Sequence, residues 1–256
     1  QLLVGGGAFL AGGMNAIDGG GTFFSFPALL AAGVPPVMAN ASNTVAMWPA
    51  SLSSAWAYRR EVSRHPRWTL LLVLVSLVGG ICGSLLLLAT SNAAFSRLVP
   101  WLLLVATSLF AFSGQISRAV AAAKAKVGLG TRAAGTPGGL GGLVFQTIVA
   151  IYGGFFGAGM GILTLAALAI QGVDDMQELN GLKNLTSAVN YTVAAATFII
   201  AGAISWPHTL LMIATAMAGA FAGAAFARRL PAIWLRRLVV AVGSVLSVIY
   251  FIKTYS

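Results

Sequence analysis

The sequence predicts an all-α membrane protein built from two inverted repeats, each with about five hydrophobic helical segments. Three observations support this: extreme apolarity, glycine clusters that interrupt two apolar regions, and an internal repeat near 140 residues. Of the 256 residues, 58% are hydrophobic and 8% are charged, whereas a soluble domain has about 25% charged residues. A chain this apolar cannot cover its surface with polar groups, so the lipid bilayer is its first expected partner.

The basic residues predict the topology. The net charge is +10, and 12 of the 15 Lys and Arg lie at 59–67, 118–132 and 228–237. Short basic loops mark the cytoplasmic side of a membrane, which explains the charge without a nucleic-acid partner. We therefore expect a multi-pass protein of the bacterial inner membrane with both termini in the periplasm. The acidic loop at 174–178 then faces the cytoplasm, since acidic residues contribute little to this rule.

Apolar stretches define the helical segments. Conventional spans are expected at 40–58, 68–96, 98–117 and 234–252, with two more inside 184–227 separated by a turn near Gly202, Ser205, Pro207 and His208. A crossing needs about 20 apolar residues. Two further regions, 2–33 and 140–172, have glycine clusters at their middles, so each arm has about 12–16 residues, or about 18–24 Å of helix. The first two segments of each repeat are therefore expected to be short or re-entrant.

The two halves repeat each other. Pairs 140 residues apart include Asn40 with Asn180, and Gly79 and Gly83 with Gly219 and Gly223; Gly20 and Gly159 are 139 apart. The expected parts are a first repeat at 1–117, a basic cytoplasmic linker at 118–139 and a second, inverted repeat at 140–256. The pairs Gly79–Gly83 and Gly219–Gly223 also predict close helix packing. Opposed repeats with interrupted helices are typical of secondary transporters, with the substrate site where the repeats meet.

Several motifs resemble one known family. They are GGMNAIDGGGT at 12–22, FPALL at 26–30, ANASNT at 39–44, YGGFFGAGMG at 152–161 and NGLKNL at 180–185. This set, spread over both halves, resembles the sulfite exporter TauE/SafE family. The resemblance implies a membrane protein that moves sulfite, sulfonates or related small anions.

The glycine clusters are the first candidates for binding an anion. A broken helix exposes backbone N–H groups, and a helix N-terminus attracts anions through these donors and its dipole. We expect the second arm of each hairpin to open at these breaks. The candidate residues are Gly19, Gly20, Gly21 and Thr22 in the first repeat and Gly157, Gly159 and Gly161 in the second. The alternative role for these glycines is close helix packing.

Polar side chains near the breaks form a second set of candidates: Asn15, Ser42, Asn43, Thr44, Asn180 and Asn184. An amide can donate to an oxyanion without the cost of burying a charge. The alternative is hydrogen bonding between helices, which we expect for the isolated Asn190.

Two charged residues are ambiguous. Lys183 lies inside a polar motif and could hold an anion, or it could be a lysine at the inner helix end that extends to the interface. Asp18 lies in the first glycine cluster. It could couple transport to protons, or its carboxylate could cap the following helix.

The sequence therefore predicts a secondary transporter for a small anion, working by alternating access, with export implied by the resemblance. The chain has no phosphate-binding loop, paired carboxylates or metal-ligand spacing, so we expect no enzyme activity, cofactor or metal. Cys82 is the only cysteine, and we expect it to serve packing. The alternatives are an anion channel on the same scaffold, or an integral-membrane enzyme or assembly factor.

Overall fold

The computed structural model describes residues 1–17, 20–60, 62, 66–127, 140–171, 173, 175–227 and 232–255. Ten helices make up nearly all of this described part. They are α1 (Leu2–Ile17), α2 (Thr22–Ala31), α3 (Pro36–Ala57), α4 (Pro66–Ala89), α5 (Asn92–Val127), α6 (Leu140–Phe155), α7 (Met160–Ile170), α8 (Met176–Ile200), α9 (Trp206–Ala227) and α10 (Ala232–Tyr255). The all-helical prediction is confirmed.

The predicted interruptions are present in both hairpins. The first, called break 1, separates α1 from α2, and the second, break 2, separates α6 from α7. Gly20, Gly157 and Gly159 have φ angles of 86°, 80° and 77°, which side chains with a Cβ rarely adopt. Asp18 and Gly19, two of the predicted site residues, lie outside the described residues.

The arms are less even than the sequence suggested. α1 and α6 have 16 residues each, whereas α2 has 10 and α7 has 11. Gly153 and Gly154, the first two glycines of the motif at 152–161, lie inside α6 rather than in break 2. The predicted turn between the two spans inside 184–227 is confirmed near Gly202, because residues 201–205 separate α8 from α9.

Three described helical stretches are long and apolar enough to cross a membrane: Pro66–Ala89, Asn92–Ile116 and Arg237–Tyr255. The boundary between the first two lies at residues 90–91. We expected this boundary near Arg97, but the arginine lies inside α5. Its long side chain can reach the end of the helix from there. Cys82, expected to be packed, is exposed on α4.

The most extensive helix packing joins α1 to α9. Glycine makes it possible. A Cβ atom on Gly219 would overlap the carbonyl oxygen of Phe9, and one on Gly12 would overlap the carbonyl oxygen of Ala216. Because the backbones touch, no larger residue fits at either position.

The next most extensive packing joins α4 to α6 in the same manner. A Cβ atom on Gly83 would overlap the carbonyl oxygen of Ile151, and one on Gly154 would overlap that of Gly80. The predicted close packing of the two small-residue pairs is therefore confirmed. In both cases the first helix of one half packs on the fourth helix of the other half.

This packing predicts a large effect of Gly219→Leu on stability. Overpacking a helix contact costs about 1–3 kcal/mol, so we expect the thermal unfolding midpoint in detergent to fall by about 5 °C or more. Gly6 on α1 is the matched control, since a Cβ there has no atom within 4 Å. Gly6→Leu should leave the midpoint unchanged or raise it, and equal losses in the two variants would contradict the packing argument.

The bundle has two distinct ends. The turn end carries the turns at 32–35, 90–91 and 201–205 and the C-terminus of α10. Hydrogen bonds across this end link these parts, because Val37 N donates to Asn92 Oδ1 at 3.0 Å and Ser205 N donates to Ser42 Oγ at 2.9 Å. The opposite, basic end carries the loop after α3, the C-terminus of α5 and the N-terminus of α8.

Candidate functional site

The two breaks meet in the middle of the bundle. The ring of Phe26 on α2 packs edge to face on that of Phe156 in break 2, with the centroids 5.6 Å apart. The side chain of Tyr191 on α8 lies beside that of Thr22 at the start of α2. A Cβ atom on Gly157 would lie 3.7 Å from the hydroxyl of the same tyrosine. Tyr191 therefore connects the two interruptions.

The described residues of break 1 form hydrogen bonds with neighbouring groups. Asn15 Oδ1 accepts the Gly21 N–H at 2.9 Å, and Asn15 Nδ2 points to the sulfur of Met47 at 3.3 Å. The Gly21 carbonyl accepts from Phe24 N at 2.9 Å. Since Asn15 takes one of the N-terminal donors of α2, fewer of them are left for a ligand.

Asn43 lies beside this break. Its Oδ1 accepts a hydrogen bond of 2.5 Å from the Ser25 hydroxyl, and both side chains are buried. The bond occupies the acceptor of the Asn43 amide and leaves its NH₂ donors for another partner. Asn43 therefore remains a suitable donor for an anion in this region.

Break 2 keeps more of its donors. Met160 N donates to Gly157 O at 3.2 Å, and Ile162 N donates to Gly159 O at 3.1 Å. Within the described chain, the N–H groups of Ala158, Gly159 and Gly161 have no backbone carbonyl as partner. The first N–H groups of a helix lack intrahelical acceptors, so the N-terminus of α7 presents a cluster of donors.

Neighbouring polar groups hold break 2 in place. Tyr152 Oη donates to the Ala158 carbonyl at 2.6 Å, and Asn40 Nδ2 donates to the Phe155 carbonyl at 2.9 Å. Asn40 Oδ1 is buried without a hydrogen-bond partner among the described residues. These bonds fix the last turn of α6 and the residues after it, which rigidifies the donor cluster.

Lys183 lies against the same helix start. Its Cδ is 3.6 Å from where a Cβ on Gly161 would be, and both residues are partly exposed. The aliphatic part of Lys183 thus packs on the first turn of α7. The structure therefore brings together two predicted site residues from different helices, one of them a cation.

Two other predicted candidates hydrogen-bond to groups outside this donor cluster. Ser42 accepts the bond from Ser205 at the turn end, and Thr44 Oγ1 donates to its own helix at Asn40 O, 3.0 Å away. Asn180 and Asn184 lie on α8 with Lys183. Asn190 Nδ2 donates to the Ala150 carbonyl at 2.8 Å, which confirms the expected helix-to-helix role.

Tyr191 and Tyr152 were not predicted. A single tyrosine in an apolar span is an ordinary packing residue, and no local motif distinguishes it. The only sequence signal is position: Tyr152 directly precedes the second glycine cluster, and Tyr191 follows Asn190 in a span opposite to it.

Paired broken helices, an apolar exterior and a central polar site define a helical membrane transporter. The comparison with known families agrees, because the profile of the sulfite exporter TauE/SafE family matches residues 4–250. The chain belongs to this family.

Curated relatives point to the same class. A "probable membrane transporter protein" of Haemophilus influenzae is 29% identical over 84% of this chain and 80% of its own length. The Sinorhizobium "probable membrane transporter protein ORF9" is 25% identical over 94% of this chain and 88% of its own. The Escherichia coli K12 "probable membrane transporter protein YfcA" is 25% identical over 94% and 85%. These names describe transporters rather than enzymes. No solved structure matches the chain.

Proposed function

We propose that this transporter carries a small oxyanion, such as sulfite, a sulfonate or a related organic acid, out of the cell by alternating access. The observation that supports this most directly is the donor cluster at the start of α7, where three backbone N–H groups lie in or beside break 2 and Lys183 packs on Gly161. Helix N-termini bind anions through such donors. A lysine adds the charge that a dianion needs.

Two described acids lie at the same end of the bundle. Asp175 and Glu178 lie at the start of α8, and Asp175 Oδ1 accepts from Gln177 N at 2.8 Å and from Glu178 N at 3.2 Å. Asp175 therefore serves as a helix cap at the basic end. A role of Asp18 in proton coupling remains part of the proposal, since this residue belongs to break 1 by sequence.

Inverted repeats are the second part of the proposal, with the halves at 1–117 and 140–256 joined by the linker at 118–139. The helix contacts support it. If α1–α5 correspond to α6–α10, then the pair α1 and α9 corresponds to the pair α6 and α4, and these two pairs have the most extensive packing. A two-fold relation between the halves accounts for both interfaces at once.

The topology is the third part: the basic end faces the cytoplasm, and both termini face the periplasm. Lys124→Cys and Ser256→Cys, each in a Cys82→Ser background, test it by reaction with a membrane-impermeant thiol reagent in intact cells. We expect labelling at 256 and none at 124. Labelling at 124 alone would invert the orientation, and labelling at both positions would contradict the repeat.

Flux measurements test the function itself. Purified protein in liposomes should take up sulfite or methanesulfonate with saturation, and internal substrate should accelerate uptake of external substrate. A carrier shows this counterflow, whereas a channel on the same scaffold would show linear flux without it. An absence of flux for sulfite, sulfonates, carboxylates and sulfate would refute the transport of small oxyanions.

A further inference from the structure

We propose that a cavity at the turn end is a second anion site, which binds the oxyanion as it enters or leaves the central site. This inference rests on the proposed function for the identity of the anion. The cavity has a volume of about 490 Å³ and lies between the α2–α3 turn, the start of α5 and the end of α10. It is lined by Arg97, Lys253, Ser96, Thr254, Tyr250 and Val34, among others.

The charge of this cavity is unusual for its position. Of the 15 Lys and Arg residues, 12 belong to the three basic loops, and Arg97 and Lys253 are two of the remaining three. Both line this one cavity at the opposite end of the bundle, and no acidic residue of the described chain lines it. Cations are depleted at the outer face of membrane proteins. Two of them in one cavity, without a carboxylate, make a site that attracts anions.

An aromatic cluster beside the cavity indicates its depth in the membrane. The rings of Trp101 and Phe251 are 4.9 Å apart, and Trp101 Nε1 donates to Tyr255 Oη at 3.2 Å. The tyrosine in turn donates to the Arg97 carbonyl at 3.0 Å. Exposed Trp and Tyr residues mark the membrane interface. This cluster holds α10 against α5 and places Arg97 and Lys253 at the depth of lipid headgroups.

The short helix α2 joins the cavity to the centre. Leu30 and Val34 line the cavity, while Thr22, at the other end of α2, lies beside Tyr191. Ten residues of helix span about 15 Å. An anion in this cavity would thus be about one short helix away from the breaks. A sulfonate and a lipid phosphate offer the same oxyanion chemistry here, so the test must separate these two sources.

Thiol labelling can measure the local potential without any transport. Ser96→Cys, in a Cys82→Ser background, would react with the anionic 2-sulfonatoethyl methanethiosulfonate or its cationic trimethylammonium analogue. We expect Arg97→Gln with Lys253→Gln to lower the ratio of anionic to cationic labelling rates about tenfold. Arg59→Gln with Arg67→Gln removes the same two charges at the basic end and should leave the ratio unchanged. If Ser96→Cys does not fold, Thr254→Cys offers a second position in the cavity.

Protection then tests binding. Methanesulfonate should slow labelling of Cys82→Ser/Ser96→Cys by both reagents with saturation, and the protection should disappear when Arg97 and Lys253 are neutralised. If methanesulfonate also protects in phosphatidylglycerol membranes, the site binds the free anion. If methanesulfonate protects only in phosphatidylcholine membranes, the phosphate of the anionic lipid competes for the site and is its ligand. An unchanged rate ratio, or no protection in either membrane, would overturn the proposal. Protection without sulfonate flux would refute the proposed function but not this site.

Discussion

Replacing Gly157 with leucine should reduce transport at least about 100-fold, equivalent to about 2.8 kcal/mol. Gly157 has a φ of 80°, and a Cβ there would point toward Tyr191 Oη at 3.7 Å and Gly153 O at 3.2 Å. A leucine side chain would therefore fill the space between the two breaks and cover the donors of α7. Initial rates in proteoliposomes and substrate binding to purified protein measure the effect.

Gly202→Leu provides the matched control. Gly202 has a φ of 66°, and a Cβ on it has no atom within 4 Å. Both substitutions thus carry the backbone strain of about 1–2 kcal/mol, but only Gly157 faces the proposed site. We expect similar losses of thermal stability in both variants and near-normal transport in Gly202→Leu. Similar transport in the two would show that break 2 serves only to fold the chain.

Neutralising Lys183 should have the second largest effect. A hydrogen bond to a charged group contributes about 1.5–3 kcal/mol, so Lys183→Gln should weaken anion binding by about 10- to 150-fold. Asn43→Ala removes a neutral donor and should weaken it less, since such a bond contributes about 0.5–1.5 kcal/mol. Titration of purified protein with sulfite or methanesulfonate provides both affinities.

Two further variants separate binding from an interfacial role of Lys183. Lys183→Arg should restore affinity only in part, because a planar guanidinium does not replace a compact ammonium. Arg67→Gln removes a cation from the same end of the bundle and should leave affinity intact. If Lys183→Gln also binds normally, Lys183 only extends to the interface, and the backbone donors and amides must hold the anion.

The sequence predicted the breaks because several glycines close together within an apolar run destabilise a continuous helix. It could not show which glycines pack against a neighbouring helix and which interrupt their own. Gly154 packs on α4 inside a helix, whereas Gly157 forms the interruption. Glycine suits both purposes, and only the neighbouring helix decides between them. Likewise, Arg97 suggested a helix boundary, although the chain turns at residues 90–91.

The sequence predicted the residues of the two breaks but not the difference in their hydrogen bonding. The two breaks are equivalent by sequence, yet Asn15 caps one of them at Gly21 N while break 2 retains its donors. This difference depends on hydrogen bonds that form only when the chain folds. Tyr191 was missed for the same reason, since its importance comes from contacts with Thr22 and Gly157 across the bundle.

Because α1 packs on α9 and α4 packs on α6, each of these interfaces must wait for a helix that is synthesised later. Ala216, the packing partner of Gly12, is synthesised 204 residues after it (216 − 12). At about 5–20 residues per second, the interval is about 10–40 s. Throughout it, the glycine face of α1 must stay in lipid without its partner, or be shielded by the insertion machinery. The glycine face of α4 waits for α6 in the same way, but for a shorter time. Neither of the two proposed halves contains both members of either interface. Fragments cut within the proposed linker should therefore reach the native fold only when both are made in the same membrane.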